Sequence, residues 1–142
     1  MRGGTKVALN PEMSVKIQHH LIPKVNPYFI IVFGSVAQGR SRAGSDIDIA
    51  YFSDQDISGY DLFLIAQSLA AELNCDVDLV SLRKASTVFK AQVIGNGEVI
   101  YSVDENKLAE FRIRAFKEYA LLNEERAEIM HMYAKRGRTH AG

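Results

Sequence analysis

Apolar positions recur at helical spacing near the start of the chain, where Met13, Ile17 and Leu21 follow one another every four residues. Asn10 and Pro11 just ahead of them suit an N-cap and a first helical position, and Pro23 is expected to stop or kink the helix. Residues 28–33, Tyr-Phe-Ile-Ile-Val-Phe, are a continuous apolar run bounded by Pro27 and Gly34, the pattern of a strand covered on both faces. A second strand is predicted over 47–52. Ser58 and Asp61 resemble a capping box, after which Leu62, Ile65, Ala66, Leu69 and Leu73 mark the buried face of a helix ending near Asn74. Residues 76–80 read as a third strand. Ser81 is expected to cap a helix that turns Ala85, Val88, Phe89 and Val93 inward and stops at Gly95-Asn96-Gly97, with 98–101 returning as a short edge strand. From Asp104 a long helix is predicted toward Tyr133. Its stripe of Leu108, Phe111, Ala115, Tyr119, Leu122, Ile129 and Tyr133 is interrupted by Arg126 and joined by a second patch, Phe116 and Ala120.

Composition narrows the possibilities. A chain of 142 residues suits one domain over 1–142, with the ends at 1–9 and 137–142 expected to be flexible, and buries about two-thirds of its unfolded surface without disulfide or structural metal. Lys and Arg total 17, matching 17 Asp and Glu, so no nonspecific electrostatic grip on nucleic acid or an anionic membrane is expected. Cys75 is the single cysteine and reads as a small half-buried residue rather than a nucleophile. No apolar run approaches the roughly 18–20 residues of a membrane span, and no signal-peptide core follows Met1, so a cytoplasmic location is expected. His19, His20, His131 and His140 lack partners at ligand spacing and are assigned no role.

The chemistry concentrates where the first strand ends. Gly34 and Ser35 close the apolar run, and after ten intervening residues come Asp46-Ile47-Asp48. Side chains alternate along a strand, so Asp46 and Asp48 share a face, about 7 Å apart along the backbone, while Ile47, Ile49 and Tyr51 point into a core. On the third strand Asp76 and Asp78 oppose Val77 and Leu79; if that strand lies beside the second, a third carboxylate joins the pair. Clustered acids repel at reduced dielectric and call for cations. Magnesium suits them, being held by one or two carboxylates together with substrate phosphates, and two such ions would clamp an in-line displacement. Gly34 lets backbone N–H groups approach phosphate oxygens, and Ser35 adds a hydroxyl donor. The layout points to nucleotidyl transfer from a nucleoside triphosphate. Arg40 and Arg42, in the intervening loop, could reach the triphosphate or be solvated, and Asp76 reads as a solvated strand-end acid.

Gly34-Ser35, the ten-residue gap, Asp46-x-Asp48 and Asp78 within Val-Asp-Leu-Val together resemble the DNA polymerase β-type nucleotidyltransferase superfamily. Within it the chain is similar, from about Ile17 to the long last helix, to the minimal nucleotidyltransferases, small antitoxins usually paired with a HEPN-domain toxin. That resemblance implies an α/β (α+β) fold, a mixed sheet with helices packed on one face and a long C-terminal helix. It implies magnesium-dependent transfer of AMP from ATP to a tyrosine of the toxin, an RNase that is thereby silenced, in a hetero-oligomer with that toxin. By the same resemblance Gly34 and Ser35 bind triphosphate, Asp46 and Asp48 bind both metals, and Asp78 completes the catalytic metal site and helps deprotonate the acceptor. Two other readings stay open: a binding antitoxin with a vestigial nucleotide site, favoured by a last helix apolar on more than one side, and a small-molecule nucleotidyltransferase. Direct contact with nucleic acid is not expected.

Overall fold

The computed structural model describes residues 6–7, 9–34, 41–42 and 46–141. In chain order the elements are β1 (Lys6–Val7), α1 (Pro11–Val25), β2 (Phe29–Phe33), β3 (Ser41–Arg42), β4 (Ile47–Phe52) and α2 (Gly59–Leu73). After them come β5 (Val77–Ser81), a 3-10 turn (Leu82–Lys84), α3 (Thr87–Asn96), β6 (Glu98–Ser102) and α4 (Glu105–Ala141). The main sheet has the order β5-β4-β2-β6, with β2 antiparallel to both β4 and β6 and β4 parallel to β5. The parallel step needs a crossover, which α2 supplies. Within the ends expected to be flexible, β1 pairs antiparallel with β3 and α4 continues to Ala141.

β2 is apolar at every position, and its alternating side chains feed two cores. Ile30 and Val32 join Ile47, Ile49 and Tyr51 of β4 beneath Ile17, Leu21 and Val25 of α1 and Leu69 of α2. On the other side Phe29 and Ile31 join Ala50, Leu82, Val93 of α3 and Leu108 of α4. Helices therefore cover both faces of the mixed sheet, not one, because a central strand with no polar position leaves neither face for water. The long C-terminal helix is present as expected.

Local chemistry sets the helix ends. Asn10, Ser58 and Ser86 accept the N–H of Met13, Asp61 and Phe89 at 2.8, 3.1 and 3.1 Å. The cap of α3 is thus Ser86 and not Ser81: Ser81 stays in β5 opposite Tyr51, and the 3-10 turn drops Leu82 into the core before the helix starts. Pro23 does not end α1. The helix runs on to Val25, which is fully buried, and Asn26 in the left-handed conformation closes it with its N–H on the Ile22 carbonyl at 3.1 Å. In α4, Leu108 and Ala115 are buried and Phe111 half-buried. Farther along, Ile129 and Tyr133 of the expected stripe are exposed, together with Phe116, Met130 and Met132.

Ser53 is the buried polar group that ties these parts together. Its Oγ donates to the Val25 carbonyl at 2.7 Å and accepts the Gln55 N–H at 3.0 Å, fastening the end of α1 to the exit of β4. Ser53→Ala leaves the buried Val25 carbonyl without this donor and the Gln55 N–H without its acceptor, and is expected to lower unfolding free energy by about 1–3 kcal/mol. Urea denaturation of the two proteins measures this, and equal midpoints and slopes would refute it.

Candidate active site

Three strands meet in one transverse row. Asp48 is the Cα partner of Phe33 on β2 and of Asp78 on β5. Gly34, directly after Phe33, therefore lies on one flank of Asp48 and Asp78 on the other. Asp46 stands just ahead of β4, and the Ile47 N–H beside it donates to the Asp76 carbonyl at 2.9 Å, which joins the starts of the two acid-bearing strands. Burial of Ile47, Ile49 and Tyr51 turns Asp48 away from the first core.

The electrostatics follow from this placement. Asp48 is half-buried while Asp46, Asp76 and Asp78 are exposed. Partial burial raises the Asp48 carboxyl above its ordinary value, and the charges of Asp78 and then Asp46 push the same way. Burial likewise raises the Cys75 thiol, with Asp76 and Asp46 adding to it. A thiol held protonated among carboxylates is a poor nucleophile, in keeping with the reading of Cys75 as a half-buried filler.

Gly34 has φ +78°, in the region that L side chains rarely adopt, and a Cβ there would run into the Asp48 carboxylate. Backbone and carboxylate thus approach as closely as chemistry permits. The donor set, several carboxylates beside an open glycine turn, fits hard oxygen-seeking ions such as magnesium. Among the described residues no three acidic, His or Cys side chains close into a metal cage, so further oxygens would come from water or a phosphate ligand.

Ser35, Arg40 and Ser45 lie outside the described residues, as do the side chains of Arg42 and His140. Asp76, read as a solvated acid, is exposed and lies with Asp46 and Asp78 along a cleft of about 520 Å³ between α2 and β5. The α2 wall of that cleft was not singled out in the sequence. Its signal was Phe63, an aromatic residue off the buried stripe of α2, and it is 57% exposed. His20, assigned no role, has Nδ1 3.1 Å from Glu72 Oε1, a pairing of α1 with α2 across 52 positions that no local spacing discloses.

Residues 15–106 match the family described as "Polymerase beta, Nucleotidyltransferase". Over 122 residues the chain is 35% identical to the protein adenylyltransferase MntA of Shewanella oneidensis, with 86% of each protein covered. It is similar to a solved toxin–antitoxin complex, MntA-HepT, with TM-score 0.73 and 30% identity over 86% of this chain and 97% of that one. A toxin–antitoxin structure with AMP-PNP gives TM-score 0.73 at 35% identity, covering 87% and 97%. A tri-AMPylated Shewanella oneidensis HEPN toxin in complex with MNT antitoxin gives 0.73 at 30% identity, covering 84% and 94%. With its family match spanning most of the chain and its acids gathered beside a glycine turn, this protein belongs to the polymerase beta-type nucleotidyltransferase family.

Proposed function

We propose that this protein is an adenylyltransferase antitoxin, which moves AMP from ATP to a tyrosine hydroxyl of a HEPN-domain toxin partner in the cytoplasm and so neutralises it. The observation that carries the reading is the row Gly34, Asp48, Asp78: a glycine turn at positive φ on one side of a carboxylate and a second carboxylate on the other. The names of its relatives support it. One is a protein adenylyltransferase, one was solved with an ATP analogue, and one accompanies an AMPylated HEPN toxin.

Each residue has a part in this reading. The Gly34 turn, with Ser35 after it, leaves room for the β- and γ-phosphates against main-chain N–H groups. Asp46, Asp48 and Asp78 would hold two magnesium ions, which supply charge neutralisation for the triphosphate and the departing pyrophosphate. Asp78 accepts the proton of the attacking hydroxyl. A new oxygen–phosphorus bond forms at the α-phosphorus while its bond to the β-phosphate bridge breaks, so the products are AMP-protein and pyrophosphate. The exposed Ile129, Met130, Met132 and Tyr133 of α4 also suit partner docking, so neutralisation by binding alone is the second reading.

Labelled ATP, magnesium and the partner toxin separate the two readings. Label on the toxin supports transfer; inhibition of the toxin without label leaves only binding. The double variant Asp46→Asn/Asp48→Asn is expected to lose transfer, because an amide neither neutralises nor bridges divalent ions. Its stability without metal should hold or rise. The raised Asp48 carboxyl contributes stability that is full below its ordinary 3.8 and lost as pH rises through the raised value, so the neutral-pH parent carries a penalty that the amides escape. Chemical denaturation at pH 7 in chelator checks this, and a clear destabilisation would mean that the acids serve the fold.

Gly34→Ala tests the other flank. A side chain at positive φ costs about 1–3 kcal/mol, and here it also displaces the Asp48 carboxylate. ATP with magnesium should raise the melting temperature of the parent, by the equivalent of about 2.7 kcal/mol at a hundred times the dissociation constant. In Gly34→Ala most of that nucleotide-dependent rise should vanish, and an undiminished rise would remove Gly34 from the phosphate site.

A further inference from the structure

The cleft between α2 and β5 has an unusual lining. Consecutive residues 76–79 all contribute to it, although alternate side chains of a strand point to opposite faces. Such a lining arises when a cleft runs along the edge of a strand and not over one face. Among the described residues β5 is the edge strand of the main sheet, so its outward N–H and C=O groups have no strand partner there. The opposite wall is helical and largely apolar: Ala66 and Ala70 leave room, and Phe63 stands exposed at the rim with Gln67.

In-line displacement fixes the use of this edge. The attacking oxygen and the departing pyrophosphate must lie on opposite sides of the α-phosphorus. The glycine turn that would take the phosphates is on the β2 flank of Asp48, so the attacking hydroxyl arrives from the β5 flank, past Asp78. That is where the cleft opens. Resting on the adenylyltransfer reading, we propose that the cleft is the docking site of the acceptor: an extended segment of the partner protein that adds to the edge of β5 and seats its tyrosine ring against Phe63 and the small residues of α2. Main-chain pairing gives such a segment affinity and the apolar wall gives it specificity. Asp78 lines the same cleft, so the hydroxyl meets the acid at the strand edge. Asp46, Asp76 and Asp78 along the same cleft favour basic residues flanking the tyrosine.

The test uses the full-length protein with its partner toxin, in two variants at exposed positions, Phe63→Ala and Gln67→Arg. The first removes the aromatic rim; the second narrows the cleft and sets a positive charge against a basic flank. Both should raise the KM for the toxin in labelled AMP transfer tenfold or more. Both should keep the parental melting-temperature rise with ATP and magnesium, since neither lies on the Gly34 flank. Parental KM values in both variants would overturn the proposal. So would loss of the nucleotide-dependent rise, which would assign the cleft to the nucleotide itself. A parent protein that shifts with nucleotide yet labels no toxin would overturn the adenylyltransfer reading, and the acceptor site with it.

Discussion

The register of β2, β4 and β5 is the constraint on which the site depends. Side chains along a strand have a period of two, so a slip of one residue in β4 would turn Asp48 into the core and Ile47, Ile49 and Tyr51 out of it. Burying each of those three side chains contributes roughly 1.5–3 kcal/mol. Repulsion between two carboxylates about 4 Å apart is on the order of 1 kcal/mol in water and about 4 kcal/mol near a protein surface. The apolar face therefore holds the acids together, even though Asp48 sits beside two like charges. A fold that wins its register through the core can gather carboxylates at the end of its sheet without choosing their geometry separately.

Gly34 depends on the same register. It follows the last residue of β2, whose partner is Asp48, so the chain must turn away beside a half-buried carboxylate. A positive φ and the absence of a side chain are what that turn requires. Gly97 faces a comparable squeeze, against Ile31 and backbone carbonyls where α3 hands over to β6, but there the nearest neighbours belong to the fold. Close approach at Gly97 serves packing; at Gly34 it brings the backbone against an acid.

Much of this was legible in the sequence because it is periodic. The all-apolar β2, the alternation of acid and Ile in β4, and the caps at Asn10 and Ser58 each rest on local spacing, which the structure reproduces. The differences arise where distant contacts decide. Pro23 stays inside α1 because Val25 has a core position to fill two residues later, and the cap of α3 moves to Ser86 because Leu82 is taken by the second core first. One feature of β2 pointed correctly beyond the family resemblance: a strand with no polar position needs cover on both faces, and helices do lie on both. The α2–β5 cleft and the His20–Glu72 contact depend on tertiary placement, and nothing in local spacing encodes them.

The long helix raises a question of reach. At about 1.5 Å per residue the 37 residues of α4 extend roughly 55 Å, while only its beginning, through Leu108, Phe111 and Ala115, is packed into the protein. Those contacts lie with α3 on one face of the sheet, whereas the cleft beside Asp78 lies between α2 and the β5 edge. Strand alternation puts Asp48 on the face of Ala50 and Phe52, which pack with Leu108 and Phe111 of α4, so the acids and the anchored part of the helix share one face of the sheet. The helix is therefore anchored by its first turns on the acid-bearing face, and its exposed Ile129 lies about 21 Å along the axis from the buried Ala115.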